Sequence, residues 1–374
     1  FIYRFEIPAK ERNPLQKIRV PAVKQRYRKR PLRWYPRKSA LKTRVTLTSV
    51  YRLGVQLGFV FLCLFIGWQF SKFVDAATYT ASGNLPHRPP GVEGFLPISG
   101  LMGAVDWVHQ GVLNDIHPAA TVLLIVFLLI SVLLRKAFCG WICPVGFISE
   151  NLARIGQLLF KRNFRLWYPI DVLLRGIKYF ILGFFIFAIF GMAPDQLHSF
   201  IQSPYNRVSD IKMMGFFTGV SQLAAVILIS LAVLSVLIHS FWCRYMCPYG
   251  ALMGLVSWIS PVKVRRIDDV CTDCKVCDMA CPARIDISKI ETVHNPECIG
   301  CGDCVTSCPI PGAIEIGTKE QKLKPINLAM AVVILFTAGY ITARVAGIWQ
   351  NDIPDDEVRH HIIHMDEPEY DHPR

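Results

Sequence analysis

Charged side chains are scarce in this sequence: they make up 18% of 374 residues, where soluble domains carry about a quarter. With 52% hydrophobic residues and a mean hydropathy of +0.34, that shortfall excludes disorder, collagen-like repeats and an ordinary water-soluble globule. It implies lipid as part of the solvent. Position 1 is not Met, so a further segment is expected upstream of Phe1. No Cys-x-x-Cys-His occurs, which excludes covalent c-type haem. Only His239 falls inside an apolar run, so a bis-histidine haem within the membrane is not expected either. Net positive charge is missing from most of the chain. Residues 1–45 hold 15 Lys/Arg against two Glu, so the formal +13 is theirs alone and the remainder sums to zero. Basicity confined to one arm beside a hydrophobic segment reads as a cytoplasmic, lipid-facing arm and not as a nucleic-acid site.

What is plentiful is apolar sequence. A helix needs about 20 apolar residues to cross the hydrocarbon core, and residues 50–70, 118–137, 170–193, 219–241 and 325–345 meet that length. Arg52, Arg175 and Lys178 at or within these runs are expected to snorkel to an interface. Residues 135–165 carry six basic and one acidic residue, residues 71–117 two basic and four acidic. The positive-inside rule then predicts a multi-pass protein of the inner membrane with a cytoplasmic N-terminus and an outward C-terminus. The expected divisions are a basic arm (1–49), a four-helix membrane repeat (50–261), a cysteine-rich insert on the cytoplasmic side (262–324), a fifth span (325–345) and an acidic outward tail (346–374). The tail's His360, His361, His364 and His372 resemble a metal site, but a solvated interaction tail is the expectation.

An internal repeat underlies the first four runs. Phe138-Cys139-Gly-Trp-Ile-Cys143-Pro144-Val-Gly146 aligns with Trp242-Cys243-Arg-Tyr-Met-Cys247-Pro248-Tyr-Gly250 at an offset of 104 residues. Each copy reads as a span running inward, a Cys-x3-Cys-Pro motif and an amphipathic helix. Both copies cross in the same direction, so the repeat is parallel, and a pseudo-two-fold axis along the membrane normal brings the two motifs together.

Twelve of the 13 cysteines fall in four motifs. Cys271-x2-Cys274-x2-Cys277-x3-Cys281-Pro and Cys298-x2-Cys301-x2-Cys304-x3-Cys308-Pro have two-cluster bacterial ferredoxin spacing. Three thiolates on a tight loop reach three corners of a cubane, and the fourth ligates the other cluster. Cys271, Cys274, Cys277 and Cys308 are therefore expected to hold one [4Fe-4S] cluster. Cys298, Cys301, Cys304 and Cys281 are expected to hold a second, with Gly300 and Gly302 allowing the backbone close to the sulfides. A zinc ribbon is the alternative reading. In the paired motifs, residues four apart share a helix face. Cys139, Cys143, Cys243 and Cys247 are thus candidates for a further iron-sulfur or other metal centre, or for a dithiol relay, with Arg135, Lys136 and Arg244 favouring thiolates. The alternative is that the Pro-Gly pairs simply turn the chain. Cys63, alone in the first run, reads as a core residue.

This order of spans and motifs resembles the NapH/NosR-type membrane iron-sulfur proteins over residues 50–345. The fold expected is a mainly α membrane protein of about five transmembrane helices with a parallel repeat, plus a small α+β bacterial-ferredoxin-like 2x[4Fe-4S] domain. The resemblance implies electron transfer between the quinone pool and an extracytoplasmic respiratory partner, as a quinol dehydrogenase-like subunit of a larger complex rather than a stand-alone enzyme. A cytochrome or periplasmic oxidoreductase is the partner so implied, and the outward His109, His117 and His198 are candidates for a quinone or partner site. The sequence departs from NosR in showing no flavin-binding domain, and from the CcoG-type accessory proteins in having only about 30 residues after the last span. A redox maturation or metal-reducing factor for another enzyme is the second functional class.

Overall fold

The computed structural model describes residues 47–79, 85–161, 164, 166–351 and 353–370. The basic arm lies outside the described residues, as does His372. The chain runs through α1 (Leu47–Tyr79), a 3-10 turn (Pro90–Phe95), α2 (Pro97–Gln110), α3 (Pro118–Leu134), α4 (Ala137–Trp141), α5 (Pro144–Phe160) and α6 (Tyr168–Phe190). It continues through α7 (Pro194–Ile201), α8 (Ser209–Thr218), α9 (Gln222–Leu237), a π turn (Trp242–Met246) and α10 (Pro248–Val256). The cysteine-rich insert contributes β1 (Lys263–Arg266), α11 (Val276–Ala280), α12 (Asp303–Thr306), β2 (Ile314–Gly317) and β3 (Lys322–Leu323), before α13 (Pro325–Val345) and α14 (Asp355–Ile363). Proline opens α2, α3, α5, α7, α10 and α13. At the first helical position its missing N–H costs nothing and its fixed φ favours the turn.

The molecule is a mainly α membrane protein, but the count of five spans is not met. Among the described residues three helices are long and apolar enough to cross, in α1, α6 and α13, and the α8–α9 pair, bent by 75°, makes at most a fourth. The expected second span is α3, whose 17 residues reach about 25 Å, short of the roughly 30 Å core. Its apolar run was misleading because a helix that is hydrophobic all round can be buried in protein as well as in lipid. Most of α3 is buried, packed by α2, α10 and α13. The chain then breaks at Arg135, whose φ is 64°.

The two repeats exchange their amphipathic helices: α5 of the first packs on α9 of the second, and α10 of the second packs on α3 of the first. Residues 85–117 are not a plain loop. The Glu93 carboxylate accepts the Ala120 N–H at 3.1 Å, stabilising the α3 N-terminus, and α2 folds back along α3. The described part of the tail is anchored to the rest of the molecule. Ile362 and Tyr370 are buried with Phe70, Phe73, Val92 and Ile211, and Lys212 donates to the Tyr370 carbonyl at 2.7 Å. His361 bonds the Tyr370 hydroxyl at 2.7 Å and His360 stacks on His364. The insert is a three-stranded antiparallel sheet in the order β1-β2-β3, with Lys263 opposite Gly317 and Arg266 opposite Ile314.

Candidate iron-sulfur and thiol sites

Two small cavities lie beside the sheet of the cysteine-rich domain, and their walls divide the eight cysteines. One is lined by Cys271, Cys274, Cys277 and Cys308 with Ile310 and Ile314. The other is lined by Cys281, Cys298, Cys301 and Cys304 with Ile285 and Val293. The fourth cysteine of each motif therefore faces the cavity of the other motif, as the crossed spacing predicts. Each donor set, four soft sulfurs around an apolar-walled space, fits a [4Fe-4S] cluster. Burial pushes the Cys277 thiol up to about 12 and Cys281 up to about 11. Loading these sets must therefore release protons.

Cys139 sits in α4, Cys143 at the N-cap of α5, Cys243 in the π turn and Cys247 at the N-cap of α10. No single regular helix carries either pair, because the closing proline starts a new helix after the second cysteine. All four nevertheless line one cavity of about 360 Å³, shared with Lys136, Phe138, His239, Tyr249 and Glu297. The cavity extends to Phe95 and Pro97, so its far wall comes from the segment folded back along α3. Phe127, stacked on Phe138 at 3.9 Å between centroids, packs behind it.

Charge in this cavity differs from the sequence expectation. Arg135 turns away and donates to the Asn295 carbonyl at 2.7 Å. Arg244 is held by Asp171 at 3.0 and 2.9 Å and by the Ala283 carbonyl at 2.8 Å. Only Lys136 acts as expected, and it does not win. Burial pushes the Cys139 thiol up to about 11 and Cys243 up to about 12, against the pull of Lys136. Cys139 and Cys243 thus keep their protons until a metal displaces them.

The second quartet is docked on the paired motifs. Trp141 Nε1 donates to the Gly300 carbonyl at 3.1 Å. A Cβ on Gly140 would meet the Ile299 carbonyl oxygen at 2.6 Å, so only glycine lets the two loops touch there. Gly300 (φ 59°) and Gly302 (φ 77°) do line the second cavity, but a Cβ on either would point at Leu134 or Pro325. Their conformations serve the contact with the membrane part as well. Glu297, one residue before Cys298, lies 2.5 Å from Lys178 and 3.7 Å from Lys136. Arg52 pairs with Asp303, between Cys301 and Cys304, at 2.7 Å. The first quartet has no such membrane contacts in its lining.

Arg52 and Lys178 do not snorkel: they are 3% and 0% exposed and point inward at carboxylates. They are the functional residues that sequence reasoning passed over, although an ionisable residue in an apolar run is itself a signal. His239, weighed only as a haem ligand, has both ring nitrogens buried without a hydrogen-bond partner and faces the four-cysteine cavity. His117 and His198 lie apart from the cysteines, bonded to the Asn206 carbonyl at 2.8 Å and to Asp106 at 3.1 Å.

Comparison with known proteins agrees with this geometry. A family model described as a 4Fe-4S binding domain matches twice, at residues 116–166 and 220–267. A 4Fe-4S dicluster domain matches residues 263–309. The chain is similar to YccM of Escherichia coli (strain K12), named for electron transport, at 37% identity over 83% of this chain and 89% of YccM. It is similar to the ferredoxin-type protein NapH of the same organism at 28% identity over 51% of this chain and 67% of NapH. The regulatory protein NosR of Pseudomonas aeruginosa matches at 27% identity over 46% of this chain and 23% of NosR. No solved structure matches.

Proposed function

Because the chain belongs to the NapH/NosR-type family of membrane iron-sulfur electron-transport proteins, we propose that it links the quinone pool to a redox partner across the inner membrane. In this reading it holds two [4Fe-4S] clusters, ligated by Cys271, Cys274, Cys277 and Cys308 and by Cys298, Cys301, Cys304 and Cys281. Such clusters supply one-electron storage over a wide span of potentials. A third, shared centre is held by Cys139, Cys143, Cys243 and Cys247. The observation that carries the proposal is that all four cysteines of the two repeats line one cavity against which the second quartet is docked. The three cysteine sets then form a series, with the first quartet farthest from the membrane part. The apolar cavity, reaching Phe95 within the bundle, is where a lipid-soluble carrier meets the series.

Serine replacement of Cys143 and of Cys247, made separately, is expected to slow electron transfer at least tenfold while both ferredoxin-type EPR signals persist. Either variant working at the wild-type rate would remove the shared centre. The orientation has its own test. Reporter fusions after residue 320 and after residue 350 flank α13, and the cytoplasmic placement of the cysteine-rich domain requires them to report opposite sides. Two reports from the same side would sink that topology.

A further inference from the structure

The membrane helix α1 places a cation against one quartet and not the other. Arg52, 3% exposed, donates from Nε to the Gly140 carbonyl at 2.9 Å and from Nη1 to Asp303 at 2.7 Å, and its other terminus pairs with Glu150. Gln56, one helical turn along, donates to the same Gly140 carbonyl at 3.1 Å. Asp303 lies between Cys301 and Cys304, and the guanidinium is within electrostatic reach of the Cys301 sulfur. Arg154 also pairs with Glu150, at 2.8 Å, so two carboxylates meet two cations here, and without Arg52 the local charge would be −1. Solvent and salt screen such a buried group weakly.

We propose that Arg52 sets the reduction potential of the cluster held by the second quartet, raising it by keeping a buried positive charge beside the Cys301–Cys304 loop. The inference rests on the two-cluster reading above. A cluster held there would gain one negative charge for each electron it accepted, and the Arg52 cation would stabilise that reduced form. The first quartet is walled only by residues between Cys271 and Ile314, with no membrane cation among them, so it serves as an internal reference.

The test is an EPR-monitored redox titration of the full-length protein in mild detergent, with the second-quartet wave identified by its loss in Cys298→Ser. Arg52→Gln is expected to make that wave more negative, so that the reduced-to-oxidised ratio at fixed potential falls about tenfold, equivalent to 59 mV for one electron. The first-quartet wave should not move, and Arg52→Lys should return most of the shift. Asp303→Asn, which removes a negative charge, should move the same wave the other way. The inference fails if Arg52→Gln shifts neither wave or both equally, or if Asp303→Asn produces no upward shift. Should Arg52→Gln not assemble the second cluster, Asp303→Asn alone decides by the same criterion. Fewer than two cluster signals in the wild type would instead overturn the two-cluster reading.

Discussion

Cys281→Ala is expected to lower the iron bound per chain by about four, half of the roughly eight held by the cysteine-rich domain, and to remove the EPR signal of the second quartet while sparing the first. The numbers follow from two cubanes of four irons each. The selectivity follows from the structure, because Cys281 belongs by sequence to the first motif yet lines the cavity of Cys298, Cys301 and Cys304. Cys308→Ala should give the mirror result, since Cys308 lines the cavity of Cys271, Cys274 and Cys277. Selective loss of the first-quartet signal in Cys281→Ala would refute the crossed ligation.

Glu297→Ala is expected to cost about 3–5 kcal/mol, the range for breaking a buried pair and leaving its partner uncompensated. Lys136 and Lys178 are 4% and 0% exposed, and both pair with this carboxylate. Burial alone would raise the Glu297 pKa, but the two ammonium groups outweigh it and hold the carboxyl below its ordinary value. A depressed carboxylate contributes stability that is present above its unfolded pKa and is lost as pH falls through the folded one. Melting at neutral pH therefore reads the full contribution. Glu297→Gln should fall between alanine and wild type, since it keeps a hydrogen-bond acceptor without the charge. A melting temperature for Glu297→Ala equal to the wild type would show that the triad does not hold the two parts together.

The cysteine spacing carried the most information. A run of three closely spaced thiols with a fourth after it has few ways to meet a cubane, and the crossed spacing groups Cys281 and Cys308 with the same neighbours that line their cavities. The 104-residue repeat likewise brought Cys139, Cys143, Cys243 and Cys247 together. Hydropathy failed where it could not distinguish lipid from protein as the apolar surroundings, and α3 was the casualty. Charge failed where direction matters. Arg52 and Lys178 have stems long enough to reach an interface, and nothing local shows that Asp303 and Glu297, more than 100 residues away in the sequence, turn them inward. Arg135 and Arg244 failed for the same reason, being claimed by Asn295 and Asp171.

The exchange of amphipathic helices between the repeats has a consequence for stoichiometry. A polypeptide with one repeat would leave α3 or α9 bare along one side and could be completed only by a second molecule, at a concentration set by expression. Covalent fusion makes that completion intramolecular, with a high effective concentration at any expression level. It also frees the halves to differ. Lys136 of the first copy corresponds to Ser240 of the second at the 104-residue offset, and both line the four-cysteine cavity. A symmetric pair would have to place two ammonium groups there or none. The tandem chain can install one, and can hang its ferredoxin domain from one side only.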